Sequence, residues 1–532
     1  MNNFINRLYN RSFQCMKAVI LILSVVLFGT AFLTSAYAYM YNQQMLFAWD
    51  NLILSVISIL FVVTILWLVT VLISRRKHGK RMLLLFVFLL YAIVTFVMII
   101  FNKPSPAADQ MTVFRIAEEF ALSYYGAIHP IESYLSYCPH QIGLVAYYDG
   151  LLRIWNLFPG NVIGYHFIYI INMVWTEILI FCFYKILYQL FNEDKIQIIY
   201  LYLMILNLPL MFYITFAYGE VPSIAVFSIG LLFFIKILKE PTKSKLKYLF
   251  YVSVSTICFA FCVVLRKNML IIMIAVFIVL FFTALMQKKY WLLFLNLLFI
   301  GACLITPSII QTCYELRAGN YLNDGIPASA YIAMGMQDNE QGNGYYNRYN
   351  LEVYEQAGLD VQTASQTACT YISERIKYFF RNIGECFKFY FGKFQVQWCD
   401  GTYAALQATI NTFSGRSQLF KNLYTYNGYV HIIFIFMCNV FQNLIYLGNC
   451  IFSFITFKDK DKKFEFIHFL CLIAVVGVFF FHILWEANSR YIFQAEILLL
   501  PTAAWGLNYL ITYIQKYLRR VKYKVHILND DI

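Results

Sequence analysis

The chain alternates between long apolar runs and short polar connections. An apolar run of about twenty residues can cross a bilayer as an α-helix, which satisfies its own backbone hydrogen bonds in lipid. Twelve runs reach this length, at residues 16–40, 51–73, 82–101, 162–188, 196–216, 219–238, 247–265, 268–286, 289–311, 429–456, 465–485 and 490–515. The pattern predicts an all-α polytopic membrane protein with about 12 transmembrane helices.

Residues 139–158, PHQIGLVAYYDGLLRIWNLF, form a further apolar segment that we do not assign as a span. Asp149 and Arg153 stand four positions apart in it, a spacing that brings side chains together on one face of a helix. We predict an amphipathic helix that lies at the outer membrane interface.

Two connections are long enough to carry a function of their own. The predicted organisation is a two-span extension at 1–81, a transmembrane core at 82–311 with an outer loop at 102–161, an extracytoplasmic domain at 312–428, and a three-span segment with a cytoplasmic tail at 429–532. This organisation places most of the polar chain outside the membrane in two segments.

The 312–428 segment changes character along its length. Its first half is rich in Gly, Asn and Tyr, which predicts irregular structure that binds a polar partner. Residues 362–397 have a helical pattern that mixes aromatic and basic side chains. These are Phe379, Phe380, Phe387 and Phe391 among Arg375, Lys377, Arg381 and Lys388. The mixture predicts a helix that rests on the membrane surface, with cations near lipid phosphates.

Composition agrees with a membrane protein: 61% of the 532 residues are hydrophobic and only 13% are charged, against about a quarter in soluble domains. The net charge of +13 does not indicate a nucleic-acid partner, because most of the surplus cations lie in short connections between spans. Such cations record the orientation of a membrane protein.

The basic clusters fix a predicted topology. They are Arg7, Arg11 and Lys17, then residues 75–81, 239–247, 288–289, 458–463 and 519–524. If all of them face the cytoplasm, the chain crosses the membrane twelve times with both termini inside.

Asp109 stands where the chain leaves the third apolar run, in PAADQMTVFRIAEEF at residues 106–120. One interpretation is structural: aspartate is a good N-cap, here for a predicted helix over 110–124. The other is catalytic, since a carboxylate at a membrane edge can act on a substrate. Capping and catalysis are compatible at a helix N-terminus.

Other candidates lie in predicted outer turns. Glu220 in AYGEVPS suits substrate chemistry or a first helical turn that follows the turn-forming Gly219. Arg266 and Lys267 in VVLRKNML lie outside against the charge rule. They suit a lipid phosphate, or they extend toward headgroups without a specific ligand.

WEANSRY, residues 485–491, places Glu486 and Arg490 four positions apart, where they could form a surface ion pair. Four further ionisable residues are of interest: Glu177 and Glu496 within spans, and His140 and His166 near the outer side. Carboxyl groups within spans are functional candidates or lock helices together. Histidines are more often packing residues than ligands.

Several activities lack their motifs. The chain has no Gly-rich phosphate loop, no GxSxG and no HExxH, which disfavours an enzyme that uses a cytoplasmic nucleotide. Its thirteen cysteines include no CxxC pair, so neither a zinc site nor a disulfide framework is predicted. No metal ligand is assigned.

In order and on one predicted side, these motifs resemble the polyprenyl-phosphate-dependent membrane glycosyltransferases of the GT-C class, the family 39 type that includes protein mannosyltransferases. Asp109 stands like their acidic residue after a span, and YCPHQIGLVAYYDGLLRIW resembles the helix that follows it. AYGEVPS, VLRKN and WEANSRYIFQAEILLLP are similar to their outer acidic turn, outer arginine and closing hairpin. The resemblance covers most of the chain from about residue 82 onward.

The resemblance implies transfer of a sugar from a polyprenyl-phosphate donor to a cell-envelope glycan, glycolipid or protein, with inversion, at the outer face of a bacterial plasma membrane. The implied roles are catalysis by Asp109 as base and by Glu220, donor-phosphate binding by Arg266, Lys267 and Arg490, and substrate orientation by Glu486, Tyr491 and His140. Asp109 lacks the second aspartate of an Asp-x-Asp motif, which leaves open whether a divalent cation takes part.

Two other functions share these features. A polysaccharide polymerase would use similar outer loops and lipid-linked substrates. A flippase or transporter for lipid-linked sugars is less consistent with the chain, because broken helices and polar groups near the midplane are typical of transporters. The polar residues here lie mainly in loops on one side.

Overall fold

The computed structural model describes residues 2–38, 44–131, 133–158, 164–239, 244–410, 415–459 and 464–530, with side chains from 7 to 518 in these ranges. Two predicted cytoplasmic clusters fall partly outside this description, at residues 240–243 and 460–463. The side chains of the basic tail at 519–524 also lie outside it.

The described residues form α-helices with one small hairpin. The helices of the first half are α1 Asn2–Leu33, α2 Leu52–Ser74, α3 Gly79–Val97, α4 Asp109–Ala121, α5 Tyr134–Tyr137, α6 Ile142–Trp155, α7 Gly164–Phe191, α8 Asp194–Leu206, α9 Leu208–Tyr213, α10 Glu220–Lys239, α11 Lys245–Leu265 and α12 Met269–Gln287. A π-helical turn, Met98–Asn102, extends α3, and a 3-10 turn, Pro139–Gln141, precedes α6.

The second half continues with α13 Trp291–Ala318, α14 Ala328–Gly335, α15 Tyr349–Gln356, α16 Val361–Arg381, α17 Ile383–Trp398, α18 Ala405–Thr409, α19 Gln418–Tyr424, α20 Tyr429–Lys458, α21 Leu470–Leu484 and α22 Phe493–Asp530. The 3-10 turns Phe466–Phe469 and Ser489–Ile492 precede the last two helices.

Eleven helices within the described ranges are long and apolar enough to cross a membrane. They coincide with eleven of the twelve predicted spans, so the chain is a multi-pass, almost entirely helical membrane protein. The remaining predicted span, 196–216, is not one helix in the structure.

The chain breaks at Asn207 within that segment, between α8 and α9. Pro209 has no backbone N–H and its ring clashes with the preceding turn, so a helix cannot continue through it without distortion. The Asn207 side-chain oxygen accepts from Leu210 N at 2.9 Å and caps α9. Hydropathy alone missed this break, because the residues on both sides of it are apolar.

The first span ends earlier than predicted, because α1 ends at Leu33 rather than at residue 40. Strand β1, Thr34–Ala38, pairs antiparallel with β2, Met45–Trp49, from Thr34 opposite Trp49 to Ala38 opposite Met45. The Ala36 amide donates to the Cys399 carbonyl at 2.8 Å, which ties this hairpin to the end of α17. The all-α prediction therefore omitted one strand pair.

Helix α6 falls within the predicted amphipathic segment 139–158, and the predicted pair of Asp149 and Arg153 is confirmed, with Arg153 Nε 2.7 Å from Asp149 Oδ1. However, Asp149 is buried, and its second oxygen accepts from Tyr314 Oη at 2.6 Å. The pair therefore anchors α6 to the end of α13.

Close helix packing holds the bundle together. Gly448 of α20 and Gly506 of α22 face each other, and a β-carbon on Gly506 would collide with the Gly448 carbonyl. Small residues let membrane helices approach to backbone contact. This contact fixes α22, which follows directly on the 3-10 turn Ser489–Ile492 that carries part of the candidate site.

Candidate functional site

Helix α4 begins at Asp109, which contradicts the interpretation of Asp109 as its N-cap. The N-cap is Ala108, with φ 47°, and it makes no side-chain capping bond. Asp109 is already the first helical residue and is exposed. The N-cap interpretation of Asp109 is therefore wrong, and its carboxylate is held by another contact.

The Tyr218 hydroxyl makes that contact, donating to Asp109 Oδ2 at 3.2 Å. The same hydroxyl accepts from Gln141 Nε2 at 2.7 Å and lies 3.1 Å from Tyr134 Oη. Burial raises the pKa of Tyr218 well above its ordinary value, so the hydroxyl keeps its proton and remains a donor. Three elements of the chain thus converge on one oxygen atom.

Gln110 fixes the backbone around this contact. Its side-chain oxygen accepts from Ala217 N at 3.0 Å, and its nitrogen donates to the Ala408 carbonyl at 3.1 Å. The start of α4 is therefore bonded to the turn that carries Tyr218. We expect little relative movement between Asp109 and Tyr218.

Arg266 and Glu220 form an ion pair next to the Tyr218 ring. Arg266 Nη2 lies 3.1 Å from Glu220 Oε1, and the side chains are 10% and 3% exposed. The Arg266 guanidinium also lies 4.8 Å from the centre of the Tyr218 ring. The φ of +90° at Gly219 forms the predicted turn, and it brings Glu220 inward rather than to the surface.

Arg490 approaches the same ring from the last span. Its guanidinium lies 5.7 Å from the rings of both Phe216 and Tyr218 and 5.1 Å from that of Tyr491. Within the described part of the chain, no carboxylate forms an ion pair with it. The predicted surface pair with Glu486 is therefore wrong, and Arg490 is a guanidinium surrounded by aromatic rings.

Glu486 is instead bonded to the neighbouring tyrosine. Tyr491 Oη donates to Glu486 Oε1 at 3.1 Å, and Arg490 Nη2 donates to the same hydroxyl at 3.4 Å. Burial raises the pKa of Glu486 to about 7 and the charge of Asp109 raises it too, while Arg490 and Lys393 act in the opposite direction. Glu486 is thus a carboxyl group that titrates near neutral pH, within reach of the charge of Asp109.

Each of the four residues of the 486–489 turn makes a hydrogen bond to a residue of the 312–428 segment. The carbonyl of Glu486 accepts from Gln397 Nε2 at 3.4 Å, and the Ala487 amide donates to the Gly344 carbonyl at 2.8 Å. Asn488 Nδ2 donates to Tyr345 Oη at 3.0 Å, and Ser489 Oγ donates to Asp400 Oδ2 at 2.6 Å. The segment that contains most of the helices outside the spans is therefore part of the site.

Asp400 is the buried centre of this support, with 0% exposure. Besides Ser489, it accepts from the amide and hydroxyl of Thr402 and from the Ala404 amide. Its burial raises the pKa, and these bonds act to lower it. Sequence reasoning did not single out Asp400, which lies between the end of α17 and α18.

Two other predicted residues lie near this cluster and are exposed. Lys267 follows Arg266 directly, and His140 precedes Gln141, which holds Tyr218. Neither side chain is fixed by an ion pair among the residues that the structure covers. They lie at the edge of the cluster, where a substrate could meet them.

Other candidates lie outside the cluster. Glu496 is buried and accepts from Asn207 Nδ2 at 3.0 Å, so it locks α22 to the break between α8 and α9. His166 contacts the Tyr165 and Tyr169 rings, and Glu177 is a partly exposed residue of α7. Of the described residues, no three or more His, Cys, Asp or Glu side chains are placed to hold a metal ion.

The structure thus brings together six of the predicted residues around Tyr218, a residue that no pattern had identified. The six are Asp109, Glu220, Arg266, Glu486, Arg490 and Tyr491. No protein-family description, curated protein or solved structure matches this chain.

Proposed function

We propose that the protein is a glycosyltransferase that moves a sugar from a polyprenyl-phosphate donor to an acceptor hydroxyl of the cell envelope. In this proposal the site opens on the outer face of a bacterial plasma membrane. Both termini are cytoplasmic, which requires α8 and α9 together to cross the membrane as a twelfth, broken span. The donor lipid lies in the bilayer, and its phosphate and sugar reach the cluster around Tyr218.

The observation that carries the proposal is the relation of Arg490 to Asp109. Arg490 lies within ion-pair distance of no carboxylate in the described chain, although the charges of Glu220 and Glu486 act on it. Its guanidinium faces the ring of Tyr218, whose hydroxyl donates to the exposed Asp109. A cation among aromatic rings attracts an anion strongly, because little water competes for it. An exposed carboxylate beside it can accept a proton.

This pairing of charges suits displacement of a phosphate by a hydroxyl group. Asp109 takes the proton of the acceptor hydroxyl, and the acceptor oxygen attacks the anomeric carbon. The bond from that carbon to the phosphate oxygen breaks, and the phosphate leaves with the electron pair and the lipid. Attack from the opposite side inverts the anomeric configuration.

The leaving phosphate needs charge neutralisation rather than a proton, and Arg490 supplies it. Arg266 contributes less on its own, because Glu220 already neutralises it at 3.1 Å. Glu220 instead fixes Arg266 against the Tyr218 ring, which is a positioning role and differs from the catalytic role that the resemblance implied. Lys267 adds an exposed cation at the edge of the cluster.

Glu486 and Tyr491 suit orientation of the acceptor. Their hydrogen bond at 3.1 Å lies on the Arg490 side of the cluster, next to residues of the 312–428 segment. That segment contributes Tyr345 and Gln397 to the support of the turn. Acceptor choice would therefore depend on the segment that holds the turn in place.

The test is transfer of radiolabelled sugar from a panel of undecaprenyl-phosphate sugars to cell-envelope acceptors, using purified protein. Wild type should consume one donor, and Asp109→Asn should not. Glu119→Gln is the matched control, because Glu119 is an exposed carboxylate of the same helix. It should transfer at the wild-type rate.

The same assay separates the rival functions. If lipid-linked oligosaccharides grow while no single sugar is transferred, the protein is a polymerase. If label moves between the leaflets of a vesicle without a change in the lipid, it is a flippase. If neutralising Asp109, Glu220 and Glu486 together leaves transfer unchanged, the catalytic proposal fails.

A further inference from the structure

Helix α17 carries an apolar stripe that nothing in the described structure covers. Ile383, Phe387 and Phe391 stand four positions apart and are 73%, 73% and 41% exposed. At about 100° per residue they lie within one narrow face of the helix. The rings of Phe387 and Phe391 stack at a centroid distance of 6.0 Å.

The stripe continues toward the C-terminal end of α17 and meets a membrane-spanning helix there. Phe394 and Trp398 share its face, and their rings lie 6.2 and 6.0 Å from the ring of Phe479 in α21. Phe479 is five residues before the end of α21 at Leu484, about 7.5 Å along the axis. The apolar stripe therefore lies on the side of α17 that contacts α21.

From Phe389 onward, the opposite face of α17 is already occupied. Phe389, Lys393 and Val396 are buried there, and the Lys393 ammonium donates to the Gly335 carbonyl. Gln397, on the flank between this face and the stripe, donates to the Glu486 carbonyl. The helix cannot turn its stripe inward without breaking these contacts.

The surroundings of the stripe match a lipid surface. Phe380, at the end of α16, is 80% exposed next to it. Three exposed cations flank this corner: Lys377, Arg381 and Lys388. Helices that lie in the plane of a membrane typically place aromatic side chains among the upper acyl chains. They also place basic side chains near the lipid phosphates.

We propose that α17 lies in the plane of the bilayer, with Ile383, Phe387 and Phe391 in the boundary between headgroups and acyl chains. The leaflet is the one that borders the C-terminal end of α21. Phe480, next to Phe479 on that span, is 56% exposed and faces lipid in the same region. The occupant of the stripe is thus the bilayer rather than another protein.

This placement has a consequence for the site. One face of α17 contacts lipid, and Gln397 on the flank of that face holds the 486–489 turn. The helix therefore sets the height of Glu486 and Arg490 above the acyl chains. The inference does not depend on sugar transfer, and it stands or fails separately from it.

The test is photocrosslinking in vesicles of phosphatidylethanolamine and phosphatidylglycerol. A benzoylphenylalanine residue replaces Phe387 in one protein and Glu385 in a second, and lipid adducts are measured by mass spectrometry after irradiation. Glu385 is exposed on the same helix, about 160° away from Phe387. We expect lipid adducts at Phe387 in about tenfold excess or more over Glu385.

Equal lipid adducts at the two positions would overturn the proposal, since they would show that the stripe contacts lipid no more than the rest of the helix does. Adducts between two copies of the chain at Phe387 would also overturn it, because the stripe would then be a protein interface. A third protein with benzoylphenylalanine at Ile383 should behave like the Phe387 protein. Both positions are exposed, so these replacements keep the fold, which gel filtration in detergent checks.

Discussion

The Tyr218 hydroxyl lies 3.2 Å from an Asp109 carboxylate oxygen, although the two residues are 109 positions apart in the chain. This contact orients the Asp109 carboxylate, which makes no capping bond to α4. The ring of Tyr218 also lies near the guanidinium groups of Arg266 and Arg490. Tyr218 therefore contacts both the acidic residue of the site, Asp109, and its two guanidinium groups.

Tyr218→Phe removes the hydroxyl and leaves Gln141 Nε2 without its acceptor, while the ring remains. We expect transfer to fall about ten- to a hundredfold, because Asp109 is no longer held in position. The free energy of unfolding should fall by about 1–3 kcal/mol. Sugar transfer and thermal unfolding in detergent measure the two effects. Tyr124→Phe, at an exposed tyrosine, should change neither quantity.

Asp109→Asn should separate catalysis from stability. Transfer should fall about 10²- to 10⁴-fold, as expected for loss of a general base. The unfolding temperature should stay at the wild-type value, because Asp109 is exposed and makes no capping bond. Asp109→Ala tests the cap separately, because alanine cannot cap whereas asparagine can: a loss of about 1 kcal/mol in the alanine variant would restore the capping interpretation. Near-normal turnover would exclude Asp109 as the base.

Arg490→Gln should lower transfer about 10²- to 10³-fold, because the leaving phosphate loses its buried cation. Arg490→Lys keeps the charge but not the planar group that stacks on the rings, so we expect an intermediate rate. Steady-state kinetics with the lipid donor give kcat and KM for each protein. Lys267→Gln is the control, with a small effect because that side chain is exposed. Equal losses for both residues would remove the special role of Arg490.

Glu486 should make stability depend on pH. Its pKa is raised from 4.5 to about 7, mainly by burial. Between these values the unfolded carboxyl has lost its proton and the folded one retains it, so the folded state loses stability as pH rises. Lys393, whose pKa burial lowers from 10.5 to about 7, acts above this window and in the opposite direction.

We therefore expect the wild type to lose stability relative to Glu486→Gln as pH rises from 4.5 to about 7, because the variant has no carboxyl to ionise. Unfolding temperatures of both proteins at several pH values within this window measure the difference. Parallel curves would show that Glu486 ionises as readily in the folded state as in the unfolded chain.

The bond between Asp400 and Ser489 should couple the 312–428 segment to the site. Asp400→Asn removes an acceptor from a fully buried group and should lower the free energy of unfolding by about 1–3 kcal/mol. Ser489→Ala should cost about 1 kcal/mol. The double variant should be less destabilised than the sum of the two, because both changes break the same bond. If the losses in free energy of unfolding of the two single variants simply add in the double variant, the bond does not couple the segment to the site.

The predicted spans illustrate what a linear pattern can determine. Eleven apolar runs became helices of spanning length, because hydropathy and helix length are properties of consecutive residues. The ion pair of Asp149 and Arg153 could also be predicted from the sequence, since four positions make about one helical turn. The Asn207 break was missed because Pro209 and the Asn207 cap interrupt a run whose hydropathy does not change.

Sequence reasoning also identified most of the charged residues of the site, because a polar group at the end of an apolar run is conspicuous. It did not assign their partners correctly. Glu486 was paired with Arg490 by spacing, yet it bonds to Tyr491, because the 3-10 turn Ser489–Ile492 replaces the α-helical turn that the spacing assumed. Local spacing predicts a contact only when the local geometry is known.

The sequence by itself determined that this is a multi-pass helical membrane protein with acidic and basic residues at the ends of its spans. Only the tertiary structure decided that Tyr218 holds Asp109, and that Asp400 holds Ser489 across 89 positions of chain. The reason is physical. Burial in lipid depends on the composition of one segment, whereas a hydrogen bond between distant residues depends on how the whole bundle packs.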